Sequence, residues 1–245
     1  MALYFIGLGL ADETDITVKG LELIKKSDVV YFENYTSILQ CSVKKLEDTF
    51  GRKIIPARRE VIENSQKILD EAKQKNVAIL VIGDPLVATT HAELFLQAKK
   101  QNIPVHVAHN ASVASAIGCT GLQVYKFGRI ISIPFQTNAA SFFDMCLQNK
   151  KTGLHTLLLL DLDVACNKFL SIKEAIEKLQ TAENNRKAKI LTTLIGCARI
   201  GAQDQLIAAG SPEKLKTINW GKPPYCLVIP GELHFLEEEA LQLLS

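Results

Sequence analysis

The sequence lacks the spacings that mark the common metal and nucleophile sites. Its cysteines form no C-x-x-C pair, and its histidines show neither H-x-x-x-H nor H-E-x-x-H spacing. It also contains no G-x-S-x-G elbow and no Walker glycine–lysine loop. These absences argue against a zinc ribbon, a thioredoxin-type motif and the standard hydrolase sites, and we predict no bound metal.

The sequence also has a small net charge and no long apolar run. The net charge is only +2, so bulk charge indicates no nucleic-acid partner. No apolar run approaches the ~20 residues needed to cross a bilayer. Residues 1–6 are apolar but lack a basic flank and lead into Asp12 and Glu13, unlike a secretory signal. We expect a cytoplasmic protein without membrane segments and without direct contact to nucleic acid.

What the sequence does contain is the material for two α/β domains. At 245 residues it is longer than a typical domain of about 100 to 200 residues. In its first part, short apolar runs such as residues 77–82 alternate with amphipathic helical patterns such as Val18–Lys26 and residues 65–75. This alternation predicts a parallel sheet covered by helices. The pattern changes after Asn110, and we predict domains at residues 1–110 and 111–245.

Two glycines close the first predicted strand, in the segment Gly7-Leu8-Gly9-Leu10. Glycine lets the backbone approach a ligand that a Cβ atom would exclude. A dinucleotide-binding fingerprint would place a third glycine where Asp12 stands, so that interpretation is weak. A tight turn without a ligand is the structural alternative.

Two more segments follow predicted strands. Gly83-Asp84-Pro85 ends the central strand, at the position where open α/β sheets bind their ligands. Asp84 could accept hydrogen bonds from hydroxyl or ammonium groups, or it could cap the helix that follows. His109-Asn110-Ala111-Ser112 follows a later strand, and we predict that Ser112 caps a helix facing the same crevice.

Taken together, segments along most of the chain resemble the diphthine synthase family. In the first half they are LYFIGLGL at residues 3–10, DITVKGL at 15–21, YTS at 35–37, GDP at 83–85, ATTH at 88–91 and HNAS at 109–112. In the second half they are GCTGLQ at 118–123, YKFG at 125–128, SIPF at 132–135, GLHTL at 153–157, ARIG at 198–201 and IAAG at 207–210.

The resemblance implies an α/β, two-domain tetrapyrrole-methylase-like fold with a cofactor in the interdomain cleft, and a homodimer. It implies transfer of methyl groups from S-adenosyl-L-methionine, with S-adenosyl-L-homocysteine as product. The protein substrate would be elongation factor 2, trimethylated on an amine of a modified histidine, with esterification of the adjacent carboxylate in some members. The implied cofactor contacts are Leu10, Asp84, Val87, Ser112, Val113, Leu160, Ile200 and Tyr225.

The chain also departs from the family pattern. Val87 stands where the family often has glycine, and Arg58 replaces an acidic residue before Arg59. Arg58 and Arg59, with Arg52 and Lys53, form a basic cluster in sequence that could face an acidic partner or be a solvated surface. Residues 168–189, helical at first and then polar, are expected to end in a solvated loop that is shorter than in eukaryotic relatives.

We assign no catalytic side chain. Near-attack positioning supplies about 7 to 11 kcal/mol in favourable cases, so methyl transfer does not require a protein nucleophile. An ordinary amine is partly neutral at physiological pH, so no general base is required either. Two alternatives stay open: a tetrapyrrole or ribosomal-RNA methyltransferase of the same fold, and a non-catalytic module that binds translation factors.

Overall fold

A computed structural model describes residues 1–64, 66–136 and 141–245 of the chain. These residues form two compact units, Met1–Val113 and Ala114–Ser245. The predicted domain boundary at Asn110 therefore falls just before the end of the first unit. Each unit contains a sheet covered by helices, and the α/β class is confirmed.

The first unit is built on a five-stranded, fully parallel sheet of order β3-β2-β4-β1-β5. Its strands are β1 (Ala2–Gly7), β2 (Val29–Glu33), β3 (Ile55–Ala57), β4 (Asn76–Val81) and β5 (Val105–Ala108). The connecting helices are α1 (Val18–Lys26), α2 (Val43–Phe50), α3 (Arg59–Glu63), α4 (Gln66–Ala72) and α5 (Ala92–Lys100). The helix predicted at residues 65–75 appears as α4, and Ser65 lies outside the described residues.

Both faces of this sheet are buried, as its unbroken apolar strands predict. Successive side chains on a strand point to opposite faces. Tyr4 and Ile6 of β1 therefore join one core cluster with residues of α1 and α2. Leu3 and Phe5 join the other cluster, with residues of α4 and α5.

The second unit contains a mixed five-stranded sheet of order β11-β10-β12-β7-β6 and a separate two-stranded ribbon of β8 and β9. The strands are β6 (Ile131–Ile133), β7 (Thr156–Leu160), β8 (Leu162–Asp163), β9 (Lys168–Phe169), β10 (Leu194–Ala198), β11 (Leu206–Gly210) and β12 (Tyr225–Ile229). The helices are α7 (Ser141–Lys151), α8 (Ile172–Arg186), α9 (Pro212–Thr217) and α10 (Phe235–Leu243). The short helix α6 (Val113–Ala116) begins at the last residue of the first unit.

The interpretation of residues 168–189 as a helix followed by a solvated loop is wrong in its second part. Helix α8 continues through the polar stretch to Arg186, whose guanidinium contacts both carboxylate oxygens of Asp144 at 2.7 and 2.9 Å. The carboxylate of Glu183 accepts the backbone N–H groups of Ile190 and Leu191. The polar residues are therefore the exposed face of a helix end, which resembles a loop in composition.

Candidate functional site

Three loops of the first unit leave neighbouring strands at one edge of the sheet. In a parallel sheet all carboxyl ends share an edge, and β4, β1 and β5 are adjacent in the strand order. We call the loops that follow them, residues 8–17, 82–91 and 109–112, the carboxyl-edge loops. They carry four of the residues implied as cofactor contacts, Leu10, Asp84, Val87 and Ser112, and a fifth, Val113, directly follows the third loop.

Glycines allow two of these loops to touch. The N–H of Gly83 donates to the carbonyl of Gly9 at 2.7 Å, and both residues have positive φ, +79° and +81°. A Cβ atom on Gly7 would lie 2.6 Å from the carbonyl oxygen of Gly83. Glycine is therefore required in this turn because a side chain would collide with the loop that follows β4. The sequence alone did not reveal this requirement, because the two loops are distant in the chain.

A carboxylate and an amide tie the first loop to the third. Oδ2 of Asp15 accepts the N–H groups of Leu10 at 2.9 Å and Ala11 at 2.7 Å. Nδ2 of Asn110 donates to the carbonyl oxygens of Gly7 at 3.0 Å and Asp15 at 2.9 Å. Sequence reasoning assigned neither side chain a role. The available signal was an Asp and an Asn, residues that readily bond to backbone in loops.

Asp84 joins the second loop to the third and is only 6% exposed. Its Oδ1 accepts the N–H of Leu86 at 2.9 Å, and its Oδ2 accepts Nδ1–H of His109 at 2.7 Å and the N–H of Asn110 at 3.2 Å. The helix-cap alternative is wrong, because α5 begins at Ala92 with His91 as its N-cap. A carboxylate offers about four acceptor positions, so about one remains for a ligand.

The remaining implied contacts of the first unit lie on the same loops, except Val113, which is the first residue of α6. Leu10, Val87 and Val113 are half-buried, and Ser112 is 6% exposed. A Cβ on Gly83 would lie 3.8 Å from Cα of Ser112, so the second and third loops are also in close contact. The residue after Val87, Ala88, adopts φ +55°, so this loop has a second left-handed residue, in addition to Gly83, that is not a glycine.

The three implied contacts of the second unit share one edge of its sheet. Strand β12 lies between β10 and β7 and runs antiparallel to both. Its first residue, Tyr225, therefore lies beside the ends of β7, where Leu160 is the last residue, and of β10, which ends two residues before Ile200. Leu160 and Ile200 are buried and Tyr225 is half-buried.

Arg199, which sequence reasoning did not single out, organises this second edge. It is 7% exposed and has φ +53°. Its guanidinium donates to the carbonyl oxygens of Trp220 at 2.7 Å, Lys222, and Asp204 at 2.8 Å. Tyr225 donates its hydroxyl to the carbonyl of Gly221 in the same loop, and burial raises the pKa of that hydroxyl. One arginine thus holds the loop that leads into β12.

The part of the chain that the structure describes contains neither a cluster of metal-binding side chains nor a membrane-spanning helix. No three His, Cys, Asp or Glu side chains converge there as a metal site would require. No helix there is both long and apolar enough to traverse a bilayer.

Comparison with known proteins gives the family. The profile of the Tetrapyrrole (Corrin/Porphyrin) Methylases matches residues 2–216. The chain is 43% identical to diphthine methyl ester synthase of Mus musculus, over 99% of this chain and 96% of that protein. The chain belongs to the diphthine synthases of the tetrapyrrole methylase family. It is also 42% identical to diphthine synthase of Methanosarcina acetivorans, over 99% and 96% of the two chains.

The solved structures agree with the sequences. A crystal structure of diphthine synthase superposes on this chain with a TM-score of 0.93 at 35% identity, covering 100% of this chain and 96% of the other. The predicted resemblance and the tetrapyrrole-methylase-like fold are therefore confirmed, and the protein, as a member of this family, is a methyltransferase.

A buried acid–histidine pair joins the end of the second carboxyl-edge loop to the end of β2 in this methyltransferase. Nε2 of His91 is 3.9 Å from Oε2 of Glu33, and both side chains are fully buried. Neither ring nitrogen of His91 has a hydrogen-bond partner among the described residues. Burial lowers the pKa of His91 and outweighs the opposing effect of the Glu33 carboxylate. His91 is therefore a neutral ring at neutral pH.

Lowering the pH is expected to destabilise the fold through such histidines. Burial also lowers the pKa of His155 in the second unit. The unfolded chain binds protons near the ordinary histidine pKa of about 6.5, where the folded chain does not, so the free energy of unfolding falls as pH drops below that value. Thermal unfolding of the wild type and of His91→Leu at several pH values between about 5 and 8 measures this.

We expect His91→Leu to flatten the decline in stability. His106→Leu is the matched control, because it replaces a histidine that is exposed and not buried. An unaltered pH dependence in His91→Leu would contradict the prediction.

Proposed function

We propose that this protein is a diphthine synthase that transfers methyl groups from S-adenosyl-L-methionine to an amine on the modified histidine of elongation factor 2, as a step of diphthamide biosynthesis. The observation that carries this proposal is similarity over 99% of the chain to relatives named for diphthine in both a mammal and an archaeon. A tetrapyrrole or ribosomal-RNA substrate has no comparable support.

The carboxyl-edge loops fit a donor of this kind. Asp84 retains about one acceptor position for an ammonium or hydroxyl group, and Gly9 and Gly83 keep side chains away from the backbone beside it. Leu10, Asp84, Val87, Ser112 and Val113 would hold S-adenosyl-L-methionine in the first unit, and Leu160, Ile200 and Tyr225 would contact it from the second. The bound donor supplies a methyl group on a sulfonium sulfur.

The protein's own contribution is positional. Asp15, Asp84 and Asn110 fix the loops through hydrogen bonds to backbone atoms, which limits the motion of the groups around the reactants. Holding two reactants in near-attack geometry supplies about 7 to 11 kcal/mol in favourable cases. A desolvated amine is more often neutral, so burial of the acceptor amine on binding would favour its nucleophilic form without a general base.

One experiment tests the proposal and counts the methyl groups. The purified protein is incubated with isotopically labelled S-adenosyl-L-methionine and with elongation factor 2 that carries the unmethylated modified histidine. Mass spectrometry of the modified peptide is expected to show trimethylation, and an additional alkali-labile methyl group identifies esterification of the carboxylate. A folded protein that leaves the factor unlabelled, or that does not bind the donor at millimolar concentration in calorimetry, contradicts the proposal.

The assembly and the location follow from the same proposal. The two units, Met1–Val113 and Ala114–Ser245, are proposed to be the two domains of a subunit that forms a homodimer in the cytoplasm. Light scattering on the eluting protein tests the dimer directly.

A further inference from the structure

One histidine of the carboxyl-edge loops presents an open ring nitrogen beside a proposed donor contact. His109 directly follows β5, and its Nδ1 lies 2.7 Å from Oδ2 of Asp84. A carboxylate accepts hydrogen bonds, so Nδ1 carries the hydrogen and, in the neutral ring, Nε2 carries the lone pair. Nothing among the residues that the structure describes bonds to Nε2, and 67% of the His109 side chain is exposed. The ring therefore combines a fixed tautomer with a nitrogen that can accept a proton.

The order of the strands brings this pair together. Strand β1 lies between β4 and β5, so Asp84 after β4 and His109 after β5 meet past the end of β1. The last residue of β1 is Gly7, and a Cβ atom on it would lie 2.6 Å from the carbonyl oxygen of Gly83 and 2.8 Å from Cβ of Asn110. A side chain at this position would therefore force apart the loops that carry Asp84 and His109.

The other ionisable side chains of these loops are less suited to receive a proton. Hydrogen bonds from a threonine two residues further on lower the pKa of Asp12, which makes its carboxylate a weaker base. Oδ2 of Asp15 accepts two backbone N–H groups, and Oε1 of Glu13 lies 3.5 Å from Nζ of Lys45. His91, the second histidine of these loops, is fully buried, so its ring does not contact water.

Repeated methylation of one amine creates the need for a proton acceptor. In each transfer the bond between the methyl carbon and sulfur breaks, its electron pair stays on sulfur, and the nitrogen lone pair forms the new bond to carbon. The first transfer can use an amine that binds in its neutral form. The product nitrogen is positively charged, and after the first and second transfers it must lose a proton before it can attack again. Burial favours that loss, but the proton still needs a group that receives it.

We propose that Nε2 of His109 receives the proton that the acceptor nitrogen releases between successive methyl transfers and passes it to water. The inference rests on the proposed function, which supplies an amine that is methylated three times. The Asp84 carboxylate, 2.7 Å from Nδ1, stabilises the imidazolium ion that forms. The donor is by then neutral S-adenosyl-L-homocysteine, so the imidazolium ion faces no sulfonium charge. The exposed side chain then returns the proton to solvent before the next donor binds.

The main test compares His109→Gln with His106→Gln, the same substitution at an exposed histidine of β5. Glutamine can still donate a hydrogen bond toward Asp84, but it cannot take up a proton. Mass spectrometry follows the mono-, di- and trimethyl forms of elongation factor 2 over time, and calorimetry gives the Kd for S-adenosyl-L-homocysteine.

We expect His109→Gln to slow the second and third transfers about 100-fold, the low end of the range for a positioned acid or base, so that the monomethyl form accumulates. The Kd for S-adenosyl-L-homocysteine is expected to stay close to the wild-type value. His106→Gln is expected to give the trimethyl form at the wild-type rate.

Added imidazole gives a readout that a purely structural role would not change. In His109→Ala, imidazole from solution can take up the proton in place of the missing ring, so it is expected to speed the later transfers in this variant and not in the wild type. Melting temperatures close to that of the wild type establish that the variants are folded. His109→Ala with imidazole carries the test if His109→Gln does not fold.

Equal product distributions in His109→Gln and His106→Gln overturn the inference. A loss of S-adenosyl-L-homocysteine binding that parallels the loss of rate also overturns it, because His109 would then act through the donor. A wild type that transfers no methyl group overturns the proposed function, whereas a wild type that trimethylates the factor beside an unaffected His109→Gln overturns this inference alone.

Discussion

Asp84→Asn is expected to lower kcat/KM for methyl transfer roughly 30- to 1000-fold and to weaken donor binding. In the variant, an NH₂ group replaces one of the two carboxylate oxygens. In place of Oδ2 it would face the N–H of Asn110 and Nδ1–H of His109, and in place of Oδ1 it would face the N–H of Leu86, so a donor meets a donor in either orientation. Losing charge-assisted hydrogen bonds costs about 2 to 4 kcal/mol, which corresponds to the fold-change given. Steady-state kinetics and calorimetry with S-adenosyl-L-homocysteine measure both effects.

Asp28→Asn is the matched control for this substitution. Oδ2 of Asp28 accepts the N–H of Asn76 at 2.8 Å, at the amino end of the same strand that Asp84 follows. The control therefore changes the same functional group at the edge of the sheet away from the proposed site. Activity close to wild type is expected for Asp28→Asn, and donor affinity within twofold of wild type in Asp84→Asn would falsify the role assigned to Asp84.

The largest effect on stability is expected for Glu237→Ala. Glu237 is fully buried and accepts four hydrogen bonds. Its Oε1 accepts Nε2–H of His155 at 3.0 Å and the backbone N–H of Gln123 at 2.9 Å. Its Oε2 accepts Nζ–H of Lys126 at 2.5 Å and the backbone N–H of His234 at 2.7 Å. Truncation leaves these donors without their acceptor in a buried site, so we expect the free energy of unfolding to fall by about 3 to 5 kcal/mol. Urea denaturation followed by the fluorescence of Trp220, the single tryptophan and a core residue of this unit, measures the change.

The neighbouring Glu238 supplies the control. It is exposed on the same helix, and Glu238→Ala is expected to change the free energy of unfolding by no more than about 0.5 kcal/mol. Equal transitions in the two variants would show that the Glu237 network contributes little.

Acid provides a second measure of the same network. Burial raises the pKa of Glu237, but hydrogen bonds from the His234 backbone, Lys126, the Gln123 backbone and His155 outweigh it and lower the pKa to about 2. The unfolded carboxyl titrates near 4.5, so this contribution is complete above that pH and is lost as pH falls toward 2. The stability difference between wild type and Glu237→Ala is therefore expected to shrink over that range.

Local patterns were sufficient for the type of many elements and for the bounds of some. Helix α1 begins and ends where the sequence predicts, at Val18 and Lys26, because it is a short periodic segment bounded by residues that interrupt it. The N-cap of α1 also depends only on residues close in sequence, since the side chain of Thr17 accepts the N–H of Gly20.

The pattern failed where composition was ambiguous. Residues 191–195 form a largely apolar run that by itself indicates a strand, but β10 is Leu194–Ala198, because the N–H of Leu191 bonds to the carboxylate of Glu183 and not to a neighbouring strand. Strand β11 was not predicted at all. Its alanines and terminal glycine carry little strand preference, and it is defined by pairing with β10.

The sequence by itself determined the α/β class, the family and the segments that form the carboxyl-edge loops, since these follow from short-range periodicity and from motifs. Only the tertiary structure decided how those loops are held together. Asn110 bonds to Gly7, Glu237 to Gln123, and Arg59 stacks on Tyr35 across long stretches of chain. A hydrogen bond or a stacked ring depends on distances of a few ångströms, and the order of strands in the sheet, not the order of residues in the chain, sets those distances.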